Sequence, residues 1–245
     1  RPDAAVFVTA LQRESHQAQV IHVKRLNALL KWLQQNPKQM CYPRMAYPDT
    51  LLQISDSSYR AKAEDGLSVR GLVSVRVLLR DLEGNKQTVP CHFIDFVSKA
   101  QRHVTRSTFS SELFAATDSI DAGLLHSLTL HELSKGVVTA AQAKSIIEGD
   151  TECSVALCAA IDARSVSSAV TAPNVKVPAE TSLLLHVHWV RSLLQRGRLK
   201  KLYCCDTRSM AADGMTKGSV DRQQLHHCMN GMLKLMQSLE EQRLR

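Results

Sequence analysis

The run from Cys153 to Ile161 reads Cys-Ser-Val-Ala-Leu-Cys-Ala-Ala-Ile, apolar at every position but Ser154. It is far shorter than the roughly 20 residues a membrane span requires. A half-exposed strand would alternate polar and apolar groups, and this run does not. A strand inside a sheet that is covered on both faces is the arrangement that buries it. The rest of the chain therefore has to supply neighbouring strands and two covering layers.

The flanking pattern supplies both. Residues 51–56, 70–80 and 88–98 read as strands. Val73, Val75, Val77 and Leu79 alternate in the second, while Val89, Cys91, Phe93, Asp95 and Val97 share one side of the third. Glu83-Gly84-Asn85 offers a tight turn between them, so the three form an antiparallel meander. A helix from about Ser107 to Leu130 follows, burying Phe109, Leu113, Ala116, Ile120 and Leu124. The stretch from Gly136 to Asp150 reads as a loop. Beyond the apolar strand come a short helix over 163–170 and a helix over 179–196, opened after Pro178 and stopped at Gly197. The second of these turns Leu183, Val187, Val190 and Leu194 inward, and Leu199 to Cys205 forms the last strand. Strand, helix and strand in succession predict a parallel pair. The sum is an α/β chain with a five-stranded mixed sheet, three antiparallel strands then two parallel, flanked by helices.

Two helical segments lie outside this unit. Residues 18–36 read as a packing helix with Val23, Leu26, Leu30 and Leu33 on one stripe, ended by Pro37; Pro43 and Pro48 mark a linker. At the other end Leu225, Met229, Met232, Met236 and Leu239 recur at helical spacing and predict an amphipathic helix that packs through its methionines. The expected divisions are 1–45, 46–218 and 219–245.

Four acids, Asp56, Glu112, Asp162 and Asp213, stand at boundaries of these elements. Each has a plainer role: Asp56 or Asp213-Gly214 as a turn, Asp162 as a helix N-cap, Glu112 as a favourable charge at a helix start. In an open α/β sheet, however, ligands collect beyond strand ends, where connections diverge. Four carboxylates gathered there repel one another unless a cation neutralises them, and such hard oxygen donors suit Mg²⁺ or Mn²⁺.

The local contexts of these acids resemble the ribonuclease H domain of copia-type retrotransposon polyproteins. Asp56-Ser57-Ser58-Tyr59 is similar to the family's acid-Ala/Ser-X-aromatic strand end. Ser98-Lys99-Ala100-Gln101 followed by Ser107-Thr108-Phe109-Ser110-Ser111-Glu112 resembles its Ser-X-X-Gln and Ser-Thr-X-X-X-Glu segments. Ala212-Asp213-Gly214-Met215-Thr216-Lys217 carries Ala-Asp-X-X-Thr-Lys intact. Asp162 is followed by Ala163, where the family commonly has Asn. The segments Arg1-Pro2-Asp3 and Arg25 to Leu33 look like the end of the preceding reverse transcriptase, and the first residue, Arg1, fits a piece of a longer polyprotein. The reverse transcriptase's own catalytic acids are absent, so polymerisation is not assigned. The resemblance runs over roughly residues 1–220.

It implies a ribonuclease H-like fold and hydrolysis of the RNA strand of RNA–DNA hybrids. Asp56, Glu112, Asp162 and Asp213 would act as catalytic metal ligands for two Mg²⁺ ions, with Mn²⁺ as a substitute. Products would carry 5′-phosphate and 3′-hydroxyl ends. The implied partners are the hybrid and the remainder of the polyprotein, with no membrane. Lys99, Arg102, His103 and Arg106, just ahead of Glu112, are candidates to hold phosphates, with a solvated basic loop as the alternative. A formal charge of +8 suits a polyanionic partner. Arg191, Arg196, Arg198, Lys200 and Lys201 read as a surface cluster. The seven cysteines, odd in number and without a secretory leader, point to reduced thiols and an intracellular setting. A zinc site drawn from Cys204, Cys205, His226, His227 and Cys228 lacks any CxxC pair, and buried thiols are preferred. Residues 206–212 hold no histidine for the product-release role seen in the family. The competing reading is an inactive retroelement-derived fragment that binds nucleic acid or a partner without cutting.

Overall fold

The computed structural model describes residues 1–45, 50–59, 68–84, 88–175 and 177–235. In chain order the elements are α1 (Ala5–Arg13), α2 (Val20–Gln35), β1 (Thr50–Ser58), β2 (Val69–Val77), α3 (Leu79–Glu83), β3 (Val89–Pro90) and β4 (His92–Ala100). They continue as α4 (Thr108–Lys135), α5 (Ala140–Glu148), β5 (Ala156–Ile161), α6 (Arg164–Thr171), α7 (Leu184–Gln195), β6 (Leu199–Cys204), α8 (Asp213–Thr216), α9 (Gln223–Met229) and β7 (Met232–Leu233). The main sheet has the order β4-β2-β1-β5-β6. β1 pairs antiparallel with β2 and β2 with β4, whereas β5 runs parallel to both β1 and β6. This is the expected five-stranded mixed sheet, with ribonuclease H-like topology.

Strand alternation divides the core into two layers. Leu52 and Ile54 of β1, with Cys158 and Ala160 of β5, face a layer made by Met210, Ala211, Ala212, Met215, Leu225 and Met229. Leu51, Leu157, Ala159 and Ile161 point the other way, onto Leu113, Ile120 and Leu124 of α4 and Val187 and Val190 of α7. Phe109 and Leu194 of the expected stripes are only partly buried. α4 lies close against β1 because Gly123 has no side chain; a Cβ there would meet Gln53 Cγ at 2.6 Å and Leu157 Cδ1 at 2.8 Å.

Several expectations need correcting. The Gly136–Asp150 loop contains α5, whose capping box joins Thr139 and Gln142 and whose end is Gly149 at φ 85°, a left-handed position suited to glycine. β2 stops at Val77, and Leu79 belongs to α3 rather than to the strand. Asn85 of the proposed turn lies outside the described residues. The apolar run is a strand only from Ala156. The methionine stripe is not one helix: α9 ends at Met229, Gly231 turns the chain at φ 79°, and Met232 pairs with Pro90 as part of β7. Met236 and Leu239 lie outside the described residues.

α2 forms as expected but does not pack as expected. None of its residues is buried, and Val23, Leu26 and Leu30 are each 44% exposed or more. Leu33, the fourth residue of that stripe, is partly buried. Arg198 is also misassigned to the surface: its guanidinium donates to Ser127 Oγ and to the Leu124 carbonyl on α4, leaving the residue 5% exposed. Arg191 bonds the Val170 and Ala172 carbonyls at the end of α6, and Arg196 the Glu148 carbonyl at the end of α5. Three of the five charges in that cluster thus tie helices together. Among the described residues no helix is long and apolar enough to cross a membrane.

Candidate metal centre

Asp56 lies within β1, two residues before its end at Ser58. The parallel register sets Leu52 level with Cys158 and Ile54 with Ala160. Carried two residues further, it sets Asp56 level with Asp162, both on the Leu52–Ile54 face of the sheet. Asp213 opens α8, which lies on that face across β1 and β2. One oxygen from each of Asp56, Asp162 and Asp213 lies within 4.8 Å of the other two, an arrangement able to hold a metal ion. Three hard anionic donors at this separation match the chemistry of a divalent cation that prefers oxygen.

Glu112 approaches from the opposite layer. It sits in the first turns of α4, whose N-cap Ser107 exchanges hydrogen bonds with Ser110 in a capping box. Its carboxylate accepts the Ser57 backbone N–H, so it reaches the sheet edge beside Asp56 without joining the close triad. The four acids come from β1, α4, the end of β5 and α8, and the sheet edge gathers them.

Their electrostatics are those of crowded anions. Burial, then the charges of Asp56 and Asp162, push the Glu112 carboxyl up to about 9. Burial and Asp56 push Asp213 up to about 6 against the opposing pull of Lys217. Asp162 is raised for the same two reasons, burial first and Asp56 second. Without a bound cation, protons thus replace part of the missing charge. Because the folded-state value of Glu112 lies above the ordinary 4.5, its contribution to stability is full below that value. It is lost as pH rises towards about 9. Glu112→Gln mimics the protonated form. In EDTA it should melt like the wild type near pH 5 and be more stable at pH 9 by at least about 2 kcal/mol. Parallel pH profiles from thermal unfolding would contradict this.

The neighbouring motif residues act as clamps. Gln101 Nε2 donates to the Ser111 carbonyl at 2.7 Å and to Ser57 Oγ at 3.0 Å, tying α4 to β1 beside two of the acids. Ser57 and Ser111 also share a hydroxyl contact. Ser98 Oγ donates to the Met215 carbonyl at 2.6 Å, holding α8 against β4. Thr216 Oγ1 donates to Asp56 Oδ2, and the Lys217 ammonium contacts Asp56 Oδ1 at 3.4 Å and Asp213 Oδ1. Thr216 and Lys217 were missed as site residues. Their signal was present, since positions three and four after Asp213 share its helical face.

All four basic candidates are exposed, Lys99 near the end of β4 and Arg102, His103 and Arg106 on the connection from β4 to α4. Lys99 stands opposite Arg70 on β2. Arg106 accepts a hydrogen bond at its carbonyl from Tyr59 Oη and borders a cavity of about 650 Å³ with Ser107, Phe109 and Ser165. His103 is drawn aside, its ring 5.5 Å from that of Phe114 on α4. Cys204, Cys205 and Cys228 are buried, with Cys205 Sγ against the Ile161 carbonyl. No protein-family model matches this chain, and no curated protein matches it.

Proposed function

We propose that this chain is a metal-dependent phosphodiester hydrolase. Within that class, the reading best supported is ribonuclease H: cleavage of the RNA strand of RNA–DNA hybrids by a domain from a copia-type retroelement polyprotein. The observation that carries it is the meeting of Asp56, Asp162 and Asp213 within 4.8 Å of one another. These residues come from widely separated parts of the chain, in a ribonuclease H-like topology. The intact Ala212-Asp213-X-X-Thr216-Lys217 segment favours ribonuclease H over other nucleases of the same fold.

Asp56, Asp162 and Asp213 would hold Mg²⁺, with Glu112 completing the set from α4. When bound, a pair of such ions supplies an activated water and takes up negative charge on the phosphate and leaving oxygens. The protein's part is placement. Thr216 fixes one oxygen of Asp56, Gln101 fixes the start of α4, and Ser98 fixes α8, so the carboxylates need little reorganisation when the substrate arrives. Lys99, Arg102 and Arg106 lie on the rim that leads to Glu112, where they would hold backbone phosphates and set the strand's register. Preference for RNA would come from 2′-hydroxyl contacts across the wide, shallow minor groove of the hybrid.

The test is an end-labelled RNA–DNA hybrid incubated with the chain in Mg²⁺, beside single-stranded RNA and duplex DNA. Cleavage of RNA in the hybrid alone, abolished by EDTA, is the expected result. Binding without cutting would instead identify an inactive nucleic-acid-binding module.

A further inference from the structure

Resting on the metal-dependent reading above, we propose that Lys217 is the resident counter-ion of the acidic cluster, which a divalent ion has to displace in order to load the site. The Lys217 ammonium lies 2.5 Å from Asp213 Oδ1 and 3.4 Å from Asp56 Oδ1. It therefore bridges two of the three carboxylates that can close around a metal ion. The placement is built into the chain. Lys217 is four residues beyond Asp213, and Thr216 beside it grips the other oxygen of Asp56.

The two partners differ in freedom. The Asp56 side chain is 2% exposed and fixed inside β1, whereas that of Lys217 is 34% exposed on a flexible four-carbon stem. The lysine can leave and the aspartate cannot. A divalent ion bound by Asp56 and Asp213 would face the ammonium at close range, and like charges at that distance repel strongly in a partly buried site. Loading is thus an exchange of one cation for another. The exchange makes the site bind metal more weakly than its carboxylates alone would, and the ammonium offsets part of the cluster's charge when divalent ions are scarce.

The sign of the effect separates this role from a structural one. Lys217→Gln should tighten Mn²⁺ or Mg²⁺ binding in calorimetry without nucleic acid, by on the order of tenfold. Loss of a merely structural lysine would weaken binding or leave it unchanged, and either result overturns the proposal. Asp56→Asn, measured alongside, should lose binding. If it binds as the wild type does, the metal-centre reading fails; if it loses binding while Lys217→Gln gains none, the lysine proposal alone fails. A second measurement needs no substitution. An amine-reactive reagent followed by peptide mass spectrometry should label Lys217 of the wild-type chain several-fold faster with Mg²⁺ than in EDTA. Equal or slower labelling would show that the ammonium stays in place.

Discussion

Asp56→Asn should lower hybrid cleavage by at least about 10²-fold while leaving a folded protein, because it removes the one carboxylate that every other charged group of the site faces. Burial raises Glu112, Asp162 and Asp213, the Asp56 charge raises each of them further, and Lys217 contacts Asp56 directly. The loss should fall on turnover rather than on hybrid affinity, which the basic rim would retain. Asparagine keeps the size of the side chain and an oxygen for Thr216. It also relieves repulsion among the remaining acids, so unfolding in EDTA should stay close to wild type. Combining it with Asp162→Asn should cost little more than the single change, since residues that act as one unit are not additive. A double variant whose losses multiply would mean that the two acids work separately.

Gly71→Ala should have the larger effect on stability. Gly71 is level with Asp56 on β1 and with Ser98 on β4, directly beneath α8. A Cβ there would stand 2.6 Å from Met215 Cβ, 2.7 Å from Thr216 Cγ2 and 3.0 Å from the Ala212 carbonyl. None of these is the free end of a flexible side chain, so α8 has to lift. The expected cost is about 3 kcal/mol, as for other overpacked sites. Lifting α8 would also carry Asp213, Thr216 and Lys217 out of register with Asp56. Metal affinity should therefore fall with stability, measurable as a smaller gain in melting temperature on adding Mg²⁺. A Gly71→Ala variant that melts like the wild type would show that α8 is not seated on β2.

The sheet was legible in the sequence because its signals are local. An apolar run between polar flanks, alternation in Val73, Val75 and Val77, and a stripe of Leu113, Ala116, Ile120 and Leu124 each follow from one element's own periodicity. The acids were legible as candidates through their motifs, while their approach to one another depends on register. What was missed depends on punctuation or on distant partners. The Thr139 and Gln142 capping box and Gly149 announce α5, yet a nine-residue helix with only Ile146 buried leaves a faint stripe. Asn230-Gly231 breaks the methionine pattern, and periodicity carried across it joins a helix to a strand. Arg198 looks exposed in a basic cluster because Ser127 and Leu124, its acceptors, lie more than seventy residues earlier. Lys217 had a place in a motif but no role, since only folding brings Asp56 to it.

The central claim is that three distant carboxylates form one cation site. Crystals soaked in Mn²⁺ test it most directly through anomalous scattering. A peak bounded by Asp56, Asp162 and Asp213, absent from Asp56→Asn crystals, is the predicted result. Ordered Mn²⁺ elsewhere on the chain, with those three side chains turned apart, would contradict it.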